Sequence, residues 1–221
     1  MQVKQFLIFL FFLPSIHSFA AKKKGGKNAA ARSSSKGFGA APPTLDQVLQ
    51  QFKTRVPTPK ESDLNALDCP CGSGNIYGDC CAPLHSGHPC ETMTQVLQSR
   101  YSAFCWRLIG HIIRTTHETC RDYQLDAIAW AKDLNQNGMF DSYEFVGLKI
   151  LEPEQQVNEN EGTISFAVTL RGKENAATGI AGKESIISET STFRKENGGW
   201  LYASGVVKSE EAGLEGAVLN N

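Results

Sequence analysis

Four cysteines within thirteen positions constrain this chain more than any other feature of its sequence. They stand in DCPCGSGNIYGDCC, residues 68–81, with the spacing C-x-C-x8-C-C. Four thiolates around a Zn²⁺ ion need Zn–S distances of about 2.3 Å in a tetrahedron, so two tight turns must each present two sulfurs. Pro70 fixes one backbone angle of the first turn, and Gly72 and Gly74 can adopt the positive φ values that wrap a loop around an ion.

The cysteine count of the whole chain bears on three interpretations of this stretch. There are seven cysteines, and an odd number cannot close into intramolecular disulfides without leaving a free thiol. A redox pair would favour C-x-x-C near a βαβ pattern, and the sequence has neither. We therefore predict a structural Zn²⁺, rather than a disulfide or a redox pair, bound by Cys69, Cys71, Cys80 and Cys81. Nearby His85, His88 and Cys90 can compete as ligands, although a polar loop leading into a helix explains them more plainly.

Charge is distributed unevenly along the chain. Residues 1–45 carry seven basic residues and no acidic one, whereas the chain from Asp46 onward has 15 Lys and Arg against 23 Asp and Glu, a formal charge of −8. Phosphate contacts need clustered cations, so we expect no nucleic-acid partner for the folded part.

The first 45 residues have the composition of a targeting sequence. Lys4 precedes the apolar run FLIFLFFL and then small residues, the three parts of a signal peptide, which we place at residues 1–20. Residues 21–45 are basic, acid-free and rich in Ala and Ser, as in an organelle transit peptide. The two in series, with Phe19 near the cut, resemble the bipartite leader of algae with secondary plastids. We therefore expect a plastid location, with secretion as the alternative, and no membrane segment in the mature form.

Downstream of the cysteines, the hydrophobic period changes once. Apolar residues recur at intervals of three and four from Met93 to Ile113, which predicts helical structure after a cap at Thr92 or Thr94. The segment from Tyr123 to Leu134 indicates another helix. The period then becomes two, most clearly from Thr163 to Leu170, and Asn-Gly joins two further strands. Helices followed by an antiparallel sheet predict an α+β fold.

Two resemblances follow from these motifs. CPCGSGNIYGDCC resembles the SEC-C zinc motif, except that Asn75 stands where that family usually has Lys, which weakens any inference of nucleic-acid contact. QSRYSAF (98–104), EFVGLKILE (144–152) and ETSTFRKENGGWLYASG (189–205) are similar to the YchJ-like family. That resemblance implies a nuclear-transport-factor-2-like (cystatin-like) cone of helices against a curved antiparallel sheet, preceded by a small SEC-C zinc knuckle.

The resemblance divides the chain into segments. We expect a signal peptide (1–20), a basic disordered segment (21–45), a short helix and linker (46–66), the zinc motif (67–90), the large domain (91–208) and a disordered tail (209–221). The cone would have a mouth able to hold a small ligand, lined by matching polar or aromatic positions: Tyr101, His117, Glu189 and Trp200. The plainer interpretation is an internal Arg100–Glu189 ion pair with the aromatics in the core.

Residues 133–144 also match a calcium-loop pattern, with Asp133, Asn135, Asn137, Gly138 and Glu144 at the ligand positions. No partner loop exists, and a strand rather than a helix follows. We therefore predict a connection between a helix and a strand, in which Asn-Gly ends the helix.

These features lead to one main functional hypothesis. The chain would be a zinc-binding, non-enzymatic adaptor in which the knuckle docks a protein partner, and the large domain serves as scaffold or as a dimerisation module that would make a homodimer. The alternative is a small-molecule enzyme, an isomerase or hydrolase, with His117 and Glu189 as acid and base. A third hypothesis is thiol-based sensing by Cys90, Cys105 or Cys120.

Overall fold

The computed structural model describes residues 42–52, 64, 66–136, 138–174 and 179–212. The predicted signal peptide, nearly all of the basic segment, and most of the predicted linker and tail lie outside these residues. Within the part that is described, no helix is long and apolar enough to cross a lipid bilayer.

Six α-helices are described before the sheet begins. They are α1 (Leu45–Gln51), α2 (Cys81–His85), α3 (Met93–Trp106), α4 (Ile109–Arg114), α5 (Ala127–Gln136) and α6 (Met139–Ser142). The cap of α3 is Thr92 and not Thr94, because the Thr92 hydroxyl accepts from the Gln95 amide while the Gln95 side chain returns to the Thr92 backbone. The helix ends at Trp106, and the capping residue that follows, Arg107, adopts a left-handed φ of 58°.

Helix α5 starts later than the apolar pattern suggested. The pattern pointed to Tyr123, but the Asp126 carboxylate accepts hydrogen bonds from the amides of Ile128 and Ala129, both at 3.0 Å. These bonds satisfy amides that a helix start leaves without partners, so the helix begins at Ala127.

Four antiparallel strands follow the helices in the order β1-β2-β3-β4. Their bounds are β1 (Tyr143–Asn158), β2 (Glu161–Gly172), β3 (Glu184–Glu196) and β4 (Gly199–Ala212). Asn197 and Gly198, with φ of 50° and 84°, make the hairpin turn that the sequence predicted between β3 and β4. Strand β4 extends beyond residue 208, where we placed the end of the large domain, because its pairing with β3 continues until Ala212 lies opposite Ser185.

The core lies between one face of the sheet and the helices. Four alternate residues of β2 are each only 1% exposed: Ile164, Phe166, Val168 and Leu170. They pack in one hydrophobic cluster with residues of α3. These are the residues whose period of two predicted the strand. The α+β fold with a curved antiparallel sheet is therefore confirmed.

The calcium-like segment is a connection between a helix and a strand. Asp133 and Asn135 lie on α5 and Glu144 lies on β1, while Asn137 is outside the described residues. The guanidinium of Arg107 donates to the backbone carbonyl of Asn135 and to the carboxylate of Asp141. A cation of the chain itself therefore binds oxygens of this segment.

Candidate metal centre

The cysteine stretch folds into a small hairpin followed by a helical turn, and we call residues 67–85 the knuckle. Asp68 and Ile76 form an antiparallel bridge, and the Cys69 amide donates to the Asn75 carbonyl at 2.9 Å. Gly72 and Gly74 adopt φ of 78° and 77°, the left-handed values that favour glycine. A 3-10 turn (Tyr77–Asp79) then leads into α2, so the second cysteine pair lies at a helix start.

This backbone brings the four predicted cysteines together. Their Sγ atoms all lie within 4.8 Å of one another. Cys71 and Cys80 have Sγ atoms 3.5 Å apart, and those of Cys80 and Cys81 are 3.8 Å apart. A tetrahedron with Zn–S bonds of about 2.3 Å has sulfurs about 3.8 Å apart, so the donor set and its spacing suit a four-thiolate metal site.

Thiols this close share protons through their mutual hydrogen bonds. The bond from Cys69 lowers the pKa of Cys71, while the same interaction raises the pKa of Cys69. Hydrogen bonds from Cys69 and Cys71 raise the pKa of Cys81. One thiolate is therefore favoured at the expense of its neighbours, and a bound cation would be needed to hold all four deprotonated.

The large domain supplies groups around the cysteines. The Ser102 hydroxyl of α3 donates to the Ser99 carbonyl at 3.0 Å and lies 3.2 Å from Nε2 of His85. Cys69 and Cys71 raise the pKa of the neighbouring Cys81 thiol, and Ser102 is a smaller influence in the opposite direction. The indole of Trp106 packs edge-on against the Tyr77 ring, with centroids 4.4 Å apart. A Cβ added at Gly72 would lie 3.2 Å from the carbonyl oxygen of Leu148 on β1, so the first cysteine turn packs closely on the sheet edge.

His85 joins the knuckle to α3 and is not a fifth ligand. Its Nε2 donates to the Ser99 carbonyl at 2.9 Å, which leaves Nδ1 to accept the Tyr77 hydroxyl proton at 2.7 Å. Burial lowers the pKa of His85 to about 4, so the ring is neutral at physiological pH. His88 bonds instead to the Pro83 carbonyl, and Cys90 lies 3.8 Å from the Ser99 hydroxyl.

Sequence reasoning missed Ser102, Tyr77 and His85 as parts of this site. One signal was available for Ser102. Ser99 and Ser102 are small polar residues three apart on the apolar face of a predicted helix, and such residues usually have a buried hydrogen-bond partner. The partners themselves depend on tertiary packing.

Two of the four pocket candidates are core aromatics. Tyr101 is 2% exposed and lies edge-on to Phe145 with ring centroids 6.1 Å apart. Trp200 is 6% exposed, and its amide donates to the Cys90 carbonyl at 2.8 Å. Both therefore fill the core, as the plainer interpretation proposed.

The other two candidates have different partners. Nε2 of His117 lies 3.7 Å from a carboxylate oxygen of Glu196, beside the hairpin turn of β3 and β4. Glu196 is seven residues further along β3 than Glu189, which is about 23 Å at the usual strand rise. These contacts do not favour His117 and Glu189 as one acid–base pair, and their catalytic role stays a prediction.

Glu189 belongs to a buried polar cluster instead. Its Oε1 accepts the Ser191 hydroxyl proton at 2.6 Å. Burial raises the pKa of Glu189 to about 7, although the Ser191 hydrogen bond and the Arg100 charge both lower it. The Arg100 guanidinium lies 4.7 Å from the Tyr202 ring centroid and donates to the side-chain oxygens of Thr115 and Thr116. Arg100 and Glu189 therefore influence each other electrostatically within this cluster, and the internal ion pair between them stays a prediction.

The remaining thiols are poor candidates for sensing. Burial raises the pKa of Cys90 and of Cys120, and it raises the pKa of Cys105 to about 12. A thiol with a raised pKa is protonated at neutral pH and is therefore a weak nucleophile.

Comparison with known proteins identifies the domain. A family model described as "YchJ, middle NTF2-like domain" matches residues 92–205. A UPF0225 protein of Vibrio parahaemolyticus is 32% identical over 149 residues, 66% of this chain and 79% of that protein. A UPF0225 protein of Photorhabdus laumondii is 29% identical over 139 residues, 62% of this chain and 79% of that protein.

A solved structure agrees with these matches. The solution structure of a SEC-C motif-containing protein from Rhodopseudomonas palustris has a TM-score of 0.52 and 28% sequence identity, over 65% of this chain and 100% of that one. Fold and site together define a nuclear-transport-factor-2-like α+β domain with a four-cysteine knuckle that can hold a metal ion. The chain belongs to the YchJ family.

Proposed function

We propose that this chain is a zinc-binding, non-enzymatic adaptor whose knuckle docks a protein partner. The observation that carries the proposal is the set of four cysteine sulfurs within 4.8 Å of one another. An all-sulfur, four-ligand set with no open position is the pattern of structural zinc rather than catalytic zinc. The large domain would then hold the knuckle as a scaffold, and pairing of two such domains would make a homodimer.

The outer turn of the knuckle offers a surface for docking. Asn75 and Ile76 are exposed, and Ile76 shows 40% of its surface although it is apolar. Exposed Asp68 and Asp79 lie beside it in the hairpin and the helical turn. Zinc with four thiolates carries a net charge of −2, so this surface suits a partner that offers apolar contact together with cationic or N–H donors.

Affinity purification combined with zinc measurement tests the proposal. We expect one zinc per chain in the purified protein and recovery of a partner that is lost in Cys69→Ser together with the metal. Ile76→Ser is expected to keep the zinc and lose the partner. Val206→Ser, at a 68%-exposed valine on β4, is the matched control and is expected to keep both. Protein without stoichiometric zinc, or cysteine variants that keep both zinc and partner, would refute the proposal.

A plastid location is a second part of the proposal. It rests on the two-part composition of residues 1–45, with seven basic residues and no acidic one. A fluorescent fusion of residues 1–45 is expected to enter the plastid of an alga with secondary plastids. Secretion of the fusion would favour the alternative.

A further inference from the structure

Solvent reaches the four cysteines of the knuckle unequally. Cys71 and Cys81 are each 1% exposed and Cys69 is 6% exposed, whereas Cys80 is only partly buried. The Ser73 hydroxyl lies 3.2 Å from the Cys80 sulfur, within hydrogen-bonding distance. Oxidation of a cysteine requires a thiolate that the oxidant can reach, so Cys80 is the sulfur of this site most open to attack.

A second sulfur stands ready beside Cys80. The Cys71 Sγ lies 3.5 Å away, closer than the Cys81 Sγ at 3.8 Å. Consecutive residues have Cα atoms about 3.8 Å apart, which is below the separation of about 4.4 Å or more that disulfides normally span. Cys81 is therefore a poor partner for Cys80. Cys71 comes from the other turn of the knuckle, where flanking Gly72 allows the backbone to adjust.

We propose that Cys80 is a peroxide-reactive site, with Cys71 as the thiol that resolves it into a disulfide. This inference rests on the zinc site of the proposed function. The Cys80 thiolate attacks one oxygen of hydrogen peroxide and breaks the O–O bond, which leaves a sulfenic acid and releases hydroxide that becomes water on protonation. The Cys71 sulfur then attacks the sulfenic sulfur, forms the S–S bond and releases a second water. Both sulfurs are oxidised, and the peroxide takes the two electrons.

Oxidation of this pair would remove two of the four zinc ligands. A site with two thiolates left binds zinc far more weakly, so each disulfide is expected to release one zinc ion. Because Cys71 and Cys80 lie on opposite turns of the knuckle, the reaction would also change the surface offered to a partner. Peroxide would thereby regulate docking through the metal site.

The test uses the zinc-loaded full chain treated with hydrogen peroxide. Zinc release is followed with a chromogenic chelator, and the disulfide is mapped by mass spectrometry after alkylation of free thiols. We expect the loss of one zinc per chain to parallel formation of a Cys71–Cys80 disulfide. Reduction with dithiothreitol in the presence of zinc is expected to restore the site.

Cys105→Ser is the matched control, because Cys105 is also partly buried but is not a ligand. It is expected to release zinc at the wild-type rate. The inference is overturned if the zinc is retained while Cys105 is oxidised first, or if the first disulfide joins Cys69 and Cys81. A chain that holds zinc and resists peroxide would overturn this inference and leave the adaptor proposal standing. A chain that binds no zinc would refute both the inference and the adaptor proposal.

Discussion

Gly205 shows how closely the backbone of β4 approaches a buried carboxylate. A Cβ at this position would lie 1.9 Å from Oε1 of Glu189 and 2.9 Å from the Tyr202 hydroxyl. Neither neighbour can move into solvent, since both side chains are 2% exposed. Position 205 therefore requires glycine because a larger side chain has no room. Backbone conformation is not the reason, since the φ of Gly205 is not in the left-handed region.

We expect Gly205→Ala to lower the free energy of unfolding by about 1–3 kcal/mol, the usual cost of inserting a methyl group into a packed core. Urea denaturation measures the loss. Gly147→Ala on strand β1 is the control, since a Cβ at that position would have no neighbouring atom within 4 Å. Equal stability of the two variants would contradict the close contact with Glu189.

His111 gives the core a dependence on pH. Burial is the main cause that lowers its pKa to about 2, and electrostatic interactions with His85, Arg100 and Arg114 lower it further. Its Nε2 lies 2.9 Å from the Ser99 hydroxyl. The unfolded chain binds a proton at this residue near pH 6.5 and the folded chain does not. The contribution of neutral His111 to stability is therefore complete above pH 6.5 and decreases as the pH falls toward 2.

We expect His111→Asn to flatten the pH dependence of the unfolding free energy below pH 6.5. One proton accounts for at most about 1.4 kcal/mol per pH unit. Acid would remove the proposed metal from both proteins alike, so the measured quantity is the difference in unfolding free energy between wild type and variant from pH 7 to pH 4. A constant difference over this range would show that His111 does not carry the effect.

At the scale of the element, α3 connects the knuckle to the sheet. Its N-terminus has a complete capping box, in which the Gln95 amide donates to the Thr92 hydroxyl at 3.1 Å. The sequence left Thr92 and Thr94 as equal candidates for this cap. The structure distinguishes them, because the amide of Thr94 donates to the Glu154 carboxylate while its side chain has no part in the box.

We expect Thr92→Ala to destabilise the protein by about 0.5–2 kcal/mol, the usual cost of losing an N-cap hydroxyl. Thr94→Ala is expected to change stability by no more than about 0.5 kcal/mol. Chemical denaturation of the two variants side by side makes the comparison. A larger loss at Thr94 than at Thr92 would contradict the observed helix start.

Local patterns predicted most elements of this fold, because the strands and turns depend on nearby residues. Asn197-Gly198 determines a hairpin through its backbone conformation, and the period of two in β2 follows from one buried face. The four cysteines that could hold a metal ion were predictable for the same reason, since all four lie within thirteen positions. The start of α5 was misplaced because Asp126, a capping residue, overrides the apolar residues before it.

What the sequence could not predict are contacts between distant segments. The His85–Ser99 hydrogen bond links the knuckle to α3, and the Ser102 hydroxyl lies 3.2 Å from the same His85 nitrogen. The Tyr77–His85 bond holds that ring in place within the knuckle. Each of these residues has an ordinary role in isolation. The pocket candidates depend on the same kind of contact, because a resemblance in sequence does not say which side chains lie together in space, and their role stays a prediction.

At the scale of the whole molecule, these contacts make the knuckle and the domain one packed unit. His85 is bonded on both sides, and its backbone carbonyl also accepts from the Arg114 guanidinium at 2.9 Å. Its ring lies 4.6 Å from that of His111, which belongs to α4. A metal that orders the knuckle therefore stabilises the helices behind it as well, because ligand binding to the native state alone adds to its stability.

With zinc bound as proposed above, we expect the protein to unfold in a single transition. Removal of that zinc by a strong chelator is expected to lower the melting temperature of the whole transition. The loss of several kcal/mol corresponds to about 10 °C or more for a protein of this size. Calorimetry measures both the shift and the number of transitions.

Tyr77→Phe removes only the hydroxyl that donates to His85, leaving a buried acceptor without its proton donor at a cost of about 1–3 kcal/mol. This variant is expected to keep one zinc per chain and to melt at a lower temperature. If the domain kept its melting temperature after zinc removal, or if knuckle and domain melted separately, the metal site would be an independent module and the coupling through His85 would be disproved.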